Sequence, residues 1–238
     1  ILGSEVLEES ERGRRTFRFI KGPVFCQLLM ADEINRASPR TQSALLQAMQ
    51  EHRVSVAGHY HDLPDPFHVL ATQNPLELEG TYPLPEAQLD RFMFNVILDY
   101  PSFKEEIQIV KQTTSDYSAS LNKVMDAEDI VFHQNILRKI PVNDNVIEYA
   151  VGLAAKTRPE TDLASEKVQQ YISWGAGPRA SQFMLLGAKC YAAIRGKYSP
   201  DIEDIKAVAK PILRHRIIRN YKAEAEGISV DDIIDSIL

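Results

Sequence analysis

Cysteine is nearly missing from this sequence: Cys26 and Cys190 are the only two in 238 residues. They lie far apart inside otherwise apolar stretches, which excludes a disulfide framework and reads as two buried, reduced thiols. Long apolar runs are lacking too. No stretch approaches the roughly 20 residues of a membrane-spanning helix, and the first residues, ILGSEVLEES, have neither the basic start nor the apolar stretch of a secretory signal. These absences point to a cytoplasmic protein with no membrane span. An excess of positive charge is also missing, since 27 Lys and Arg face 33 Asp and Glu, a formal charge of -6. Such a balance offers no net attraction to nucleic acid or to an anionic membrane. What remains is 44% hydrophobic, enough for a sizeable core in one large domain or two small ones.

The chain changes character near residue 100. Before it, QLLMAD (27 to 32), FHVLAT (67 to 72) and FNVILDY (94 to 100) are continuous apolar runs, the pattern of parallel strands covered on both faces. Between the first two, Ser38 and Pro39 supply an N-cap and first-turn proline for a helix whose apolar face includes Leu45, Leu46 and Met49. The stretch VSVAGHYHDLPDPFHV then predicts a hairpin at 54–66 with Gly58 at its turn. After Pro101 the pattern is helical. Ser102 and Glu105 form a capping box for a helix running to about Ser115, and further helices are expected at about 143–157, 162–174, 178–196, 200–219 and 230–238. The domains that follow are an α/β part over 1–100, a connecting helical segment over 101–140 and an all-α part over 141–238.

Four places could carry chemistry. The first apolar run stops at two adjacent carboxylates, Asp32 and Glu33. A parallel strand emerges at its carboxyl edge, where open α/β sheets place ligands. There one carboxylate suits a hydrated Mg²⁺ while the second orients and polarises an attacking water; alternatively, the pair simply opens a solvated loop. The second run ends at Gln73 and Asn74 on the expected same edge, and Asn74 either bonds a phosphate or water or forms a turn before Pro75. Arg91, beside Glu86 and Asp90, either neutralises a transferring phosphoryl group or makes an ordinary ion pair. Arg179 falls in the first turn of the helix opened by Gly177 and Pro178, where the helix dipole disfavours a cation unless an anion is present. Two weaker groups are set aside. His59, His61 and Asp62 with His68 match no zinc spacing, and RHRIIR (214 to 219) reads as a solvated face or subunit contact.

In this order, GPVFCQLLMADEINRASPRTQSALLQAMQEHRVSV, FHVLATQNPLELEGTYPLPEAQLDRFMF and GAGPRASQ resemble the MoxR family of AAA+ ATPases over nearly the whole chain. The resemblance implies an α/β fold: a partial AAA+ parallel-sheet nucleotide-binding core followed by an all-α helical lid. It implies ATP and Mg²⁺ as cofactors, Asp32 and Glu33 as the Walker B pair, Asn74 as sensor 1, Arg91 as an arginine finger acting in trans, and Arg179 as sensor 2 of the lid. Residues 1 to about 22, with the strand RGRRTFRF, resemble the end of the helix-2 insert hairpin, which with the 54–66 hairpin faces the pore or partners of a ring. A homo-oligomeric, hexameric ring is implied, with a von Willebrand factor A domain protein or other client, and no role on nucleic acid. One departure is plain. No G-x-x-x-x-G-K-[ST] loop is present, and GLAAKT (152 to 157) does not satisfy it. In the family that loop and the adenine contacts lie upstream of the first residue here, so these residues alone are expected to bind ATP poorly. The competing expectation is a non-catalytic adaptor or structural ring subunit that has kept the fold without a phosphate loop.

Overall fold

A computed structural model describes residues 1–9, 15–74, 79–116 and 120–238. They divide into two compact units, Ile1–Met93 and Phe94–Leu238. The first unit opens with β1 (Gly3–Glu9) and β2 (Arg15–Lys21), antiparallel from Gly3↔Lys21 to Glu9↔Arg15. Residues 10–14, which include the start of the expected RGRRTFRF strand, lie outside the described residues. Next come β3 (Leu28–Ala31) and α1 (Pro39–Glu51). Helix α1 starts as the sequence predicts, with Pro39 at its first position and the Ser38 hydroxyl accepting the Thr41 N–H at 3.3 Å. Strands β4 (Arg53–Val56) and β5 (His59–Asp62) form the expected hairpin. Ala57 (φ 49°) and Gly58 (φ 82°) are both left-handed, as a two-residue turn matched to strand twist requires.

Strand β6 (His68–Ala71) then returns beside β3, parallel and in register from Leu28↔His68 to Ala31↔Ala71. The excursion through α1 and the hairpin supplies the crossover that parallel pairing needs. One face of this pair, Leu29 and Val69, packs with Val24, Leu45, Leu46 and Val54. The other face is open: Leu28 is 62% and Met30 58% exposed. The expectation of cover on both faces is therefore corrected for this chain. The third expected strand, 94–100, is also absent among the described residues. A strand exists only with a ladder partner, and here the Asn95 N–H is taken by the Pro211 carbonyl at 2.7 Å. Leu98 and Tyr100 stand 89% and 94% exposed. A short α2 (Glu86–Leu89) completes the unit.

The two hairpins of this unit are joined through rings. Phe19 of β2 stacks on His61 of β5 at 4.1 Å between centroids, and Phe25 meets both edge-on at 5.6 and 6.3 Å. His61 is thus spent on packing.

In the second unit, α3 (Phe103–Thr113) carries the predicted Ser102–Glu105 capping box, and α4 (Ala127–Lys139) is a further helix within residues 101–140. The core is built by α5 (Asp144–Lys156), α6 (Glu166–Tyr171), α7 (Pro178–Ile194) and α8 (Ile202–Leu213), with α9 (Tyr221–Ala225) and α10 (Val230–Asp235). Met184, Leu153, Ile205, Ile212, Leu213 and Ile233 are fully buried there. The helices expected at 162–174 and 200–219 stop early, because β7 (Ile172–Trp174) and β8 (Ile218–Arg219) pair antiparallel at their ends. Isoleucine-rich ends of this kind satisfy either period, and the partner decides. Cys26 and Cys190 are free, as expected, but both are partly exposed rather than buried. Cys26 packs at the margin of the first unit's core.

The basic cluster at 214–219 is turned inward rather than solvated. Arg216 is buried over the Phe183 ring and donates to the Ile212 carbonyl, and Arg219 donates to the Ile228 carbonyl. Arg214 grips Asp231 with two 2.7 Å hydrogen bonds. That bidentate contact holds the Asp231 carboxyl below its ordinary value and raises Arg214. Because the folded pKa of Asp231 is depressed, its contribution is complete above the unfolded value near 4 and is lost as pH falls below that toward the depressed folded value. We expect Asp231→Asn to lose roughly 1 to 2 kcal/mol at pH 6, allowing for partial solvent screening. Urea midpoints of variant and parent should converge as pH falls through the depressed folded value of Asp231. A gap independent of pH would contradict this account.

Candidate functional site

Parallel register places the ends of β3 and β6 side by side, so the residues just past Ala31 and Ala71 meet at one carboxyl edge. Asp32 is exposed and Glu33 half-buried there. Thr72 ties them together. Its hydroxyl accepts the Glu33 N–H at 2.8 Å and donates to Asp32 Oδ1 at 2.5 Å. Its own backbone continues the ladder, with Thr72 N–H to the Ala31 carbonyl at 3.1 Å and Ile34 N–H to the Thr72 carbonyl at 3.0 Å. Glu33 itself is left-handed, φ 48° and ψ 51°, a conformation unfavourable for a residue with a Cβ by about 1 kcal/mol. The two neighbouring carboxylates have different partners, Thr72 for Asp32 and Arg36 for Glu33. Glu33 Oε2 also meets Arg36 Nε at 3.2 Å.

Helix α1 holds the loop that follows. The buried Gln42 amide donates to the Ile34 carbonyl at 3.0 Å and to the Tyr82 carbonyl at 2.8 Å, and the Tyr82 N–H reaches the Asn35 carbonyl. One glutamine thus joins DEINR to GTYPLP. Asn74 lies two residues beyond Thr72, half-buried; Pro75, which would decide the turn reading, lies outside the described residues.

Arg91 is set apart from that edge. It lines a depression of about 250 Å³ with Gln88 and with Ser43, Gln47, Gln50 and Glu51 of α1. Neither Asp32, Glu33 nor Asn74 contributes to its lining.

Arg179 belongs to the second unit, second residue of α7 and half-buried. The loop before it is packed tightly. The buried Thr157 hydroxyl accepts the Ala176 N–H at 2.8 Å, and Arg158 Nε donates to the Ala176 carbonyl at 2.9 Å. Gly175 lies against them so closely that a Cβ would stand 2.4 Å from the Thr157 carbonyl oxygen and 2.7 Å from Arg158 Cα. Both are backbone atoms, which cannot rotate away. We expect Gly175→Ala to cost about 1 to 3 kcal/mol, a drop of several degrees in melting temperature. An unchanged melting curve would mean the loop has slack.

The donor set suits one kind of metal. Among the described residues no three His, Cys, Asp or Glu side chains gather as a metal cage. The exposed Asp32 carboxylate offers a hard oxygen ligand of the sort used for Mg²⁺ that arrives with phosphates and keeps several waters. The site fits a nucleotide-borne Mg²⁺ on that ground. Sequence reasoning missed Thr72, Gln42 and Arg36. The signals were present: a hydroxyl ending an apolar strand in VLAT, and opposite charges three apart in DEINR.

Residues 1–94 match the profile of the ATPase family associated with various cellular activities (AAA), and residues 164–237 match the AAA lid domain. YeaC of Bacillus subtilis is 39% identical, with all of this chain and 72% of that protein aligned. Chaperone MoxR1 of Mycobacterium tuberculosis is 37% identical over all of this chain and 62% of its own length. The crystal structure of a Cytophaga hutchinsonii protein assigned as an ATPase is 38% identical, with a TM-score of 0.89 over 99% of this chain and 72% of that one.

Proposed function

The chain belongs to the MoxR-type AAA+ ATPases, and from that membership we propose that the gene product hydrolyses ATP with Mg²⁺ and uses the cycle to remodel a client protein. The carrying observation is the edge at which Thr72 presents Asp32 and Glu33 from a parallel strand pair. In this reading Glu33 is the base that orients water toward the γ-phosphate, and Asp32 holds Mg²⁺ directly or through water. Bound with the nucleotide, Mg²⁺ would offset charge on the phosphate oxygens. Asn74 positions water or phosphate, and Arg179 stabilises charge from the helical lid. Arg91, which lines a depression to which Asp32 and Glu33 of its own chain do not contribute, is assigned to the nucleotide of a neighbouring subunit.

That assignment makes hydrolysis depend on assembly, in a homo-oligomeric, hexameric ring. The name of the mycobacterial relative, a chaperone, supports protein remodelling, and a von Willebrand factor A domain protein is the proposed client. No helix among the described residues is long and apolar enough to cross a membrane; cytoplasmic residence is proposed with the rest. The domains proposed are the core over 1–100, the connecting segment over 101–140 and the lid over 141–238. The test is Mg-ATP binding and hydrolysis by the full-length gene product over a range of protein concentrations. Specific activity that rises with assembly supports the reading. No nucleotide binding at any concentration would overturn it in favour of a structural ring subunit.

A further inference from the structure

The Thr72 hydroxyl has its single proton committed by its surroundings. A hydroxyl offers one donor and two acceptor positions. The Glu33 N–H can only donate, so at 2.8 Å it occupies an acceptor position, and the O–H is left for Asp32 Oδ1 at 2.5 Å. That distance is in the range of a charge-assisted O–H to carboxylate bond. Asp32 Oδ2 has no hydrogen-bond partner among the described residues. Thr72 therefore does two things with one atom: it fixes which oxygen of Asp32 stays available, and it secures the left-handed turn at Glu33. Its β-branch restricts χ1, so the hydroxyl is held at this spot with few alternatives.

From this geometry we infer that Thr72 is a positioning residue for the acidic pair, setting the Mg²⁺ requirement through Asp32 and the water-orienting geometry through Glu33. The inference rests on the ATPase reading above. It differs from a role in folding alone, because the hydroxyl and its two partners lie at an edge where Asp32 is exposed, whereas strand β6 is anchored separately through Val69 in the core.

Thr72→Val keeps the shape and removes the hydroxyl, and Thr72→Ser keeps the hydroxyl with a freer side chain. Partners that orient metal-binding side chains typically matter by roughly 10- to 100-fold in affinity or activity. In the full-length protein, Thr72→Val should raise the Mg²⁺ concentration for half-maximal turnover by about that factor, with Thr72→Ser restoring most of it. Amide hydrogen exchange of the nucleotide-free protein supplies a readout apart from activity. The Glu33 N–H loses its acceptor in Thr72→Val and should exchange at least about 10-fold faster, while the β3 and β6 amides and the melting temperature stay near the parent's. Parent-like Mg²⁺ dependence and Glu33 exchange in Thr72→Val would overturn the inference, as would a serine variant as impaired as the valine one. A variant that loses melting temperature without a change in Mg²⁺ requirement would reduce Thr72 to a folding residue. A parent protein that neither binds nor hydrolyses ATP would instead overturn the ATPase reading itself.

Discussion

Glu33→Gln is expected to lower ATP turnover by roughly 10²- to 10⁴-fold, the usual contribution of a positioned general base, while nucleotide affinity stays within a few-fold of the parent's. The amide keeps the size of the side chain and its capacity to accept a hydrogen bond, but it cannot take a proton from water. It also cannot keep the full ion pair with Arg36. That pair is half-exposed and contributes little to stability, so the variant should fold and melt as the parent does. Single-turnover hydrolysis beside equilibrium binding of a fluorescent ATP analogue separates the two effects. Normal turnover would remove Glu33 from the reaction. Loss of binding together with turnover would make it a binding residue instead.

Arg91→Ala should suppress hydrolysis by about 10³-fold or more, the range seen for arginines that stabilise phosphoryl transfer, with ATP binding by unassembled subunits unaffected. The arginine lines a shallow depression whose other walls are glutamines, a serine, a leucine and a glutamate, so its removal leaves no buried charge without a partner. Folding should be preserved. The decisive form of the experiment mixes the two inactive variants. Glu33→Gln subunits carry an intact Arg91, and Arg91→Ala subunits carry an intact Glu33. If the arginine serves the neighbouring nucleotide, mixed assemblies contain some interfaces with both groups and recover part of the activity. If it serves its own subunit's nucleotide, every mixture stays inactive.

Local rules carried the sequence reading furthest where a single residue type had one physical use. Ser38, Pro39, Ser102 and Glu105 fixed helix starts, and Gly58 marked the hairpin turn. The meeting of the β3 and β6 ends was readable because both runs stop at polar residues and parallel strands end on the same side. What failed was everything that depends on a partner distant in sequence. An apolar run such as 94–100 specifies a strand only if another strand accepts its N–H groups. The ends of α6 and α8 became a strand pair because Ile172 and Arg219 found each other. Thr72 escaped notice for a similar reason. Its importance lies in forty residues of separation from Asp32, closed by the fold. The arginines at 214, 216 and 219 read as surface charge until the structure gave each an internal acceptor.

The stacked Phe19 and His61 rings have a mechanical meaning. Two hairpins that lacked side-chain contact would each fray and swing on its own. With aromatic faces 4.1 Å apart and the Phe25 edge closing the group, a load on either strand pair is shared by the other, as two fingers taped together bend from one knuckle. The pair then has fewer independent postures to sample. Whatever meets one hairpin is felt at the base of both, a few residues from where β3 begins.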